Sequence, residues 1–408
     1  MKPSHAVQSS IAICALALAT SCSVPQQVPN PQAAGNLQVR AHKSSGSGYE
    51  LLFSFHGLEG AYPQSDLLAY GGGFFGTAPR GGGSRNGTIY KIGLDGKERV
   101  LHRFAGGTDG SHPVGGLTEL GGTLYGTTTE GGGSGCQGYG GCGTIFSISP
   151  SGASYTVIHA FGGSDGAQPN SDMIVLGGTL YGTTQEGGAA GTGTVFTVNP
   201  SQGFKSLYSF QKSPDANGPT GHLAVLNGTI YGATIWGGDY QGFGYGAVFS
   251  ITPDGSEKVI YSCRDNGDCW GPHGGVTLLN GKLYATSYEG GASIGCCGSV
   301  FSVTPGGKEH TVYDFRGGSD SGTYPTAPLT VHGGVLYGST EAGGNGNDAG
   351  TLFSLTPTAS MEILYRFCGF GECGEGPTAA LTYFNGELYS TLSSGGTYGK
   401  GLLYSLTP

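Results

Sequence analysis

Seven times along the chain an aromatic residue sits 12 positions after a proline, and this fixed spacing does more than any other feature to limit the folds available. The pairs are Pro63 and Phe75, Pro113 and Tyr125, Pro169 and Tyr181, Pro219 and Tyr231, Pro272 and Tyr284, Pro325 and Tyr337, and Pro377 and Tyr389, at intervals of 50 to 56 residues. A glycine falls three positions before each aromatic anchor, and a Gly-Gly pair falls six and seven positions after it. A second aromatic follows 15 to 21 residues after the anchor, at Tyr90, Phe146, Phe196, Phe249, Phe301, Phe353 and Tyr404. Such a register is the mark of a repeat architecture, in which one supersecondary unit buries its apolar faces against its neighbours.

Each repeat reads as four short strands. One follows the proline, one carries Leu-Tyr, one carries Gly-Thr-x-Phe, and one carries a Leu-x-x-Phe pattern such as Leu207–Phe210. Adjacent Leu and Tyr point to opposite faces of a strand, so both faces of the sheet must be covered, as in stacked blades. A period near 50 with four strands fits a kelch-type propeller; a β-solenoid is the competing arrangement. The chain opens with a lone fourth strand, Tyr49–Phe55, and ends with a third strand, 401–408, that lacks a fourth. The expected fold is therefore an all-β, seven-bladed β-propeller over residues 48–408, closed by the N-terminal strand completing the last blade. The 83 glycines, about three times the usual share, follow from this reading, because many occupy fixed turn and close-approach positions.

The repeated Leu-Tyr-Gly-Thr-Thr-x-x-Gly-Gly and Gly-Thr-x-Phe motifs resemble those of the GloVer tandem-repeat family of exported bacterial proteins, across residues 49–408. The resemblance implies export and a surface location and supplies no activity.

The N-terminus supports the same address. Lys2 precedes the apolar stretch Ile11–Ala19, and Ala19-Thr20-Ser21-Cys22 resembles a bacterial lipobox. Residues 1–21 then form a signal peptide and Cys22 is the lipidated residue. By the same resemblance, Ser23 directs the protein to the outer membrane. Residues 22–47, with Pro25, Pro29 and Pro31, read as a flexible tether. In an exported chain, cysteines default to disulfides. Cys136 with Cys142, Cys263 with Cys269, and Cys368 with Cys373 are spaced as loop staples; Cys296 and Cys297 are adjacent and their partners are left open. None has the short C-x-x-C spacing of a zinc site, so no metal is assigned to them.

A net charge of −9 without a basic run excludes nucleic acid as a partner, and with only 11% charged residues the surface suits polar, uncharged ligands. Loops before each proline and after each Gly-Gly pair share one face and vary in length, which is where binding resides on a rigid scaffold. An acidic residue precedes each proline by four or five positions: Glu59, Asp109, Asp165, Asp215, Asp268, Asp320 and Glu372. These form either a carboxylate ring that could take Ca²⁺ or a set of turn caps, and their recurrence in every repeat favours caps. The symmetry breaks are better guides to a ligand. Trp236 and Trp270, the only tryptophans, fall on the loop face near Tyr240 and His273, and would suit a sugar-stacking platform. His112, His222 and His273 lie near repeat prolines and could converge as ligands, but their different offsets favour exposed loop histidines. The sequence thus points to a surface-tethered, non-catalytic propeller that binds a polysaccharide or surface protein, with no cofactor assigned. Its rivals are a glycan hydrolase, a lyase or a kelch-like oxidase, and a structural envelope protein.

Overall fold

The first turn in each repeat is dictated by two residues with positive φ. At Gly71-Gly72, Gly121-Gly122, Gly177-Gly178, Asn227-Gly228, Asn280-Gly281, Gly333-Gly334 and Asn385-Gly386, φ lies between 49° and 92°, the signature of a type I′ hairpin. This turn joins the inner strand of each blade to the Leu-Tyr strand. The computed structural model describes residues 42–43, 48–133, 135–136, 140–239, 244–264, 268–291, 297–344, 347–369 and 371–408, apart from the side chains of 42, 43, 319, 320 and 372.

Seven antiparallel sheets result. The first blade runs Leu68–Tyr70, Gly73–Ala78, Thr88–Gly93 and Glu98–Arg103 from the inside outward. The next five repeat that order, and almost no helix interrupts them. In the last blade, Tyr49–Ser54 pairs antiparallel with Leu402–Leu406, placing Tyr49 opposite Leu406 and Ser54 opposite Leu402. The N-terminal strand therefore closes the ring, and the solenoid is excluded. A two-residue strand, His42–Lys43, runs along the outer edge of that closing strand, so part of the segment read as tether joins the sheet.

Packing explains the anchor motif. The Leu-Tyr strands are almost wholly buried, and their Leu and Tyr side chains enter the apolar layers on opposite sides of each blade. In five of the seven repeats a glycine directly after the anchor makes room for the ring of the third strand, and Ala285 and Ser390 take that position in the other two. At Gly182 a Cβ would come within 2.4 Å of Phe196 Cζ. Blades are also tied circumferentially by the inner strands, where Thr118, Thr277 and Thr382 donate from Oγ1 to the carbonyls of Met173, Leu329 and Leu67 at 2.6 to 2.7 Å. The Thr382 bond spans the junction between the last and first blades.

Cys136–Cys142, Cys263–Cys269 and Cys368–Cys373 form disulfides. Cys297 is also disulfide-bonded, whereas Cys296 lies outside the described residues.

Candidate functional site

The residues that line the axial channel come from one place in the repeat, the segment between the proline and the inner strand. Three positions after each proline stand Asp66, Gly116, Asp172, His222, Gly275, Pro328 and Ala380. Four of these are small or non-ionisable, and the other three converge. His222 Nε2 is in close contact with Asp66 Oδ2 on a blade three places away around the ring, and lies 3.9 Å from Asp172 Oδ2 on the neighbouring blade.

Each member of this triad is held from behind. Asp66 Oδ1 accepts the backbone N–H of Ala380 at 2.5 Å, and Asp172 Oδ1 accepts that of Gly116, leaving the second oxygen of each carboxylate turned towards His222. The fourth blade has an unusually long inner strand, Ala216–Leu226, which carries His222. Its backbone is fixed to the fifth blade: His222 N–H donates to Gly274 O at 3.2 Å, and Val276 N–H donates to His222 O at 2.9 Å. Gly275 must be glycine here, because a Cβ would come within 2.1 Å of His222 N.

The triad separates two cavities in the channel. On one side a space of about 500 Å³ is lined mainly by apolar groups such as Leu67, Leu117, Met173 and Leu381. On the other lies a vestibule of about 480 Å³, where the polar side chains of Gln64, Asn170, Thr220, His273, Thr326 and Thr378, each one position after its repeat proline, stand among apolar surface. Asn170 Oδ1, Thr326 Oγ1 and Thr378 Oγ1 are withdrawn from solvent and have no hydrogen-bond partner within the protein. Tyr288 and Glu341 complete the wall.

Electrostatics set the triad apart. For Asp172, burial and then the charge of Asp66 push the carboxyl up to about 7, despite the pull of His222 and the Gly116 N–H. For His222, burial opposes the charged form, but the charge and hydrogen bond of Asp66, with the charge of Asp172, outweigh it and raise the imidazole to about 9. His273, half-buried in the vestibule wall, is lowered by desolvation. The fold thus favours a charged His222 and a neutral Asp172, whereas His273 favours its neutral form.

Of the residues named in the sequence analysis whose side chains are described, His222 and His273 line the channel cavities and the others do not. Glu59, Asp109, Asp165, Asp215 and Asp268 each accept a backbone N–H within their own turn, at 2.5 to 2.9 Å, from His56, Ala105, Gly162, Gln211 and Arg264. Each also engages a nearby ring: His56, His102, His159, Tyr208 or Tyr261. These carboxylates occupy their own turns and do not converge on the channel. The side chains of Asp320 and Glu372 lie outside the described residues. Trp236 pairs across its sheet with Asn217 and is 51% exposed; Trp270 bridges to Glu289, stands edge-on to Tyr245 at 5.3 Å, and is 39% exposed. Neither tryptophan lines the channel cavities. Tyr240 and Cys22 lie outside the described residues.

The three histidines also separate. His112 pairs with Glu130 at 3.0 Å and occupies the left-handed turn position before Pro113. His222, expected on an exposed loop, is instead partly buried in an inner strand. Asp66 and Asp172 carry no motif. Their signal is the column formed by aligning all seven repeats on their prolines, where ionisable residues interrupt small ones at one offset.

The family model of the Gloeobacter/Verrucomicrobia repeat matches residues 135–344 and 240–408. No curated protein matches the sequence. Among solved structures, similarity extends to a putative 6-phosphogluconolactonase from Bacteroides fragilis, at 15% identity over 84% of this chain and 95% of that one, with a TM-score of 0.49. PorZ, a surface component of the type-IX secretion system of Porphyromonas gingivalis, is 13% identical over 86% of this chain and 46% of its own, also at 0.49. A gluconolactonase from Xanthomonas campestris is 12% identical, covering 88% and 89% of the two chains, at 0.40. At these scores the likenesses carry nothing about the site.

Proposed function

Since the chain belongs to the Gloeobacter/Verrucomicrobia repeat family, a kinship that identifies no ligand, we propose from its channel that it is an extracytoplasmic binding propeller for a hydroxyl-rich ligand such as a glycan end. The observation that carries this reading is the vestibule, where Asn170, Thr326 and Thr378 present unpaired, solvent-withdrawn oxygens above an ionisable floor. A buried oxygen without a partner costs about 1–3 kcal/mol, and rotating these side chains towards ligand hydroxyls in the vestibule would relieve that cost. A space of about 480 Å³ falls in the usual range for small-molecule sites. The exposed Trp236 and Trp270 would contact the rest of a longer chain outside the channel. Three disulfides within the described residues suit an oxidising compartment, and none of the described helices is long and apolar enough to cross a membrane. The reading places the protein at the outer membrane, anchored through acylated Cys22, with polysaccharide or a surface protein as partner.

The test is a glycan array probed with the mature protein. Substituting Asn170, Thr326 and Thr378 together by Ala, Val and Val should lower binding to the preferred glycan at least tenfold, and removing both tryptophans should lower it less. Binding that survives the vestibule variant but is lost without the tryptophans would move the site to the rim and refute this reading.

A catalytic reading is favoured by one observation. Asp172, holding its carboxyl proton up to about 7, stands beside a histidine held positive, and neighbouring groups with separated proton affinities are how acid and base roles are divided. Release of reducing ends without any unsaturated sugar product by the wild type, absent in Asp172→Asn, would establish hydrolysis.

A further inference from the structure

We propose that Asp66, Asp172 and His222 form a site for one divalent transition-metal ion of the Zn²⁺ class, bound at mid-channel with an open coordination position facing the vestibule. The donor atoms come from three different blades and all lie within 4.8 Å of one another. In a tetrahedral Zn²⁺ site, ligand atoms about 2.0–2.2 Å from the metal stand about 3.4 Å apart. The His222 to Asp172 distance of 3.9 Å therefore has to close by about 0.5 Å, His222 has to move back from Asp66, and the two carboxylate oxygens already lie within 4.8 Å of each other. Binding would replace the Nε2–H contact: the imidazole lone pair goes to the ion and its proton goes to solvent.

Three observations separate this site from a chance group of charges. First, each carboxylate uses one oxygen on a backbone N–H of a neighbouring blade and directs the other at the common centre, so its orientation is fixed by the ring. Second, the other four blades have Gly116, Gly275, Pro328 and Ala380 at this position, so the ring itself has no structural need for an ionisable group there. Third, Asn170, two residues from Asp172, lines the same vestibule with an Oδ1 that has no partner within the protein, and a turn of its side chain would bring that oxygen to a metal-bound water or ligand hydroxyl. The donor set also selects the metal. Imidazole with two carboxylates suits Zn²⁺, Mn²⁺ or Co²⁺, while Ca²⁺ takes six to eight oxygen ligands. Three protein ligands with one open position is the arrangement of catalytic zinc sites.

This inference deepens the binding reading and uses the same channel, but its test uses metal alone, so either can fail without the other. The mature chain, stripped with EDTA, is titrated with Zn²⁺ in equilibrium dialysis and, separately, with Co²⁺ followed by visible absorption. The expected result is one Zn²⁺ per chain and a Co²⁺ spectrum, both lost in His222→Ala and weakened at least tenfold in Asp172→Asn. Asp165→Asn, which removes a turn carboxylate, should bind as the wild type does. Asp172→Asn retains the side-chain shape and the acceptor for Gly116, so it decides the matter if His222→Ala fails to fold. No uptake by the wild type, undiminished uptake in Asp172→Asn, or displacement of Zn²⁺ by equimolar Ca²⁺ would overturn the proposal.

Discussion

Ring closure makes an energetic prediction across 316 residues of sequence. Tyr49, only 4% exposed, stacks on Tyr365 of the sixth blade with centroids 4.3 Å apart and planes 8° apart, and also meets Tyr404 and Phe367. Truncating Tyr49 to Ala removes a buried aromatic from a layer that includes Leu352, Leu381 and Leu402, with an expected loss of about 3–5 kcal/mol. Part of that loss is specific to the stacked pair and should appear as coupling of about 1 kcal/mol in a double-mutant cycle of Tyr49→Ala and Tyr365→Ala. Urea denaturation, read by fluorescence and far-UV circular dichroism, gives the four free energies. Leu58→Ala, at a residue 63% exposed, provides a control expected to change stability by no more than about 0.5 kcal/mol. A linear array would hold Tyr49 at a fraying end far from Tyr365. Additive losses, with coupling below about 0.3 kcal/mol, would refute closure through this strand.

Other predictions concern proton linkage, cross-links and backbone form. The fold favours the charged form of His222, so its contribution is complete below the unfolded value near 6.5 and is lost as pH rises through about 9. The fold favours neutral Asp172, so its contribution is complete below about 3.8 and is lost as pH rises through about 7. Asp66 faces both groups, with Glu119 in the apolar cavity and His273 and Glu341 in the vestibule. Stability should therefore fall between pH 6.5 and 9, by at most about 3 kcal/mol for the histidine, and His222→Gln should flatten that limb; an unchanged slope in chemical denaturation would contradict the pairing. Denatured, unreduced protein should show no alkylation at Cys136, Cys142, Cys263, Cys269, Cys297, Cys368 or Cys373 by peptide mass mapping. Reducing the small loops should cost about 2 kcal/mol each. Gly178→Ala should cost about 1–2 kcal/mol through left-handed strain alone, since nothing lies within 4 Å of its Cβ, while Gly182→Ala must push back Phe196 and should cost about 1–3 kcal/mol through overpacking. A thermal melt in which Gly178→Ala leaves stability unchanged would refute that division.

The fold was legible because its determinants are local and repeated seven times. Gly-Gly and Asn-Gly set each hairpin, the anchor pair sets both faces of the blade, and the unpaired strands at 49–55 and 401–408 show how the ring closes. The channel site was not legible by motif, because His222 meets Asp66 only through the curvature of a closed ring. The acidic residues before the prolines were visible at once, yet five of them are used on turn N–H groups and the rings of adjoining strands. Two breaks in the repeat symmetry are visible in the sequence: the tryptophans, which are exposed outside the two channel cavities, and the ionisable residues at a single offset inside the channel.

The most direct test of the account is a crystal structure of the mature protein with the glycan that it prefers on an array. The account predicts sugar density in the vestibule, with hydroxyls within hydrogen-bond distance of Asn170, Thr326 or Thr378 and the nearest ring above Asp172 and His222. Sugar density confined to the rim at Trp236 and Trp270, with the channel holding none, would contradict it.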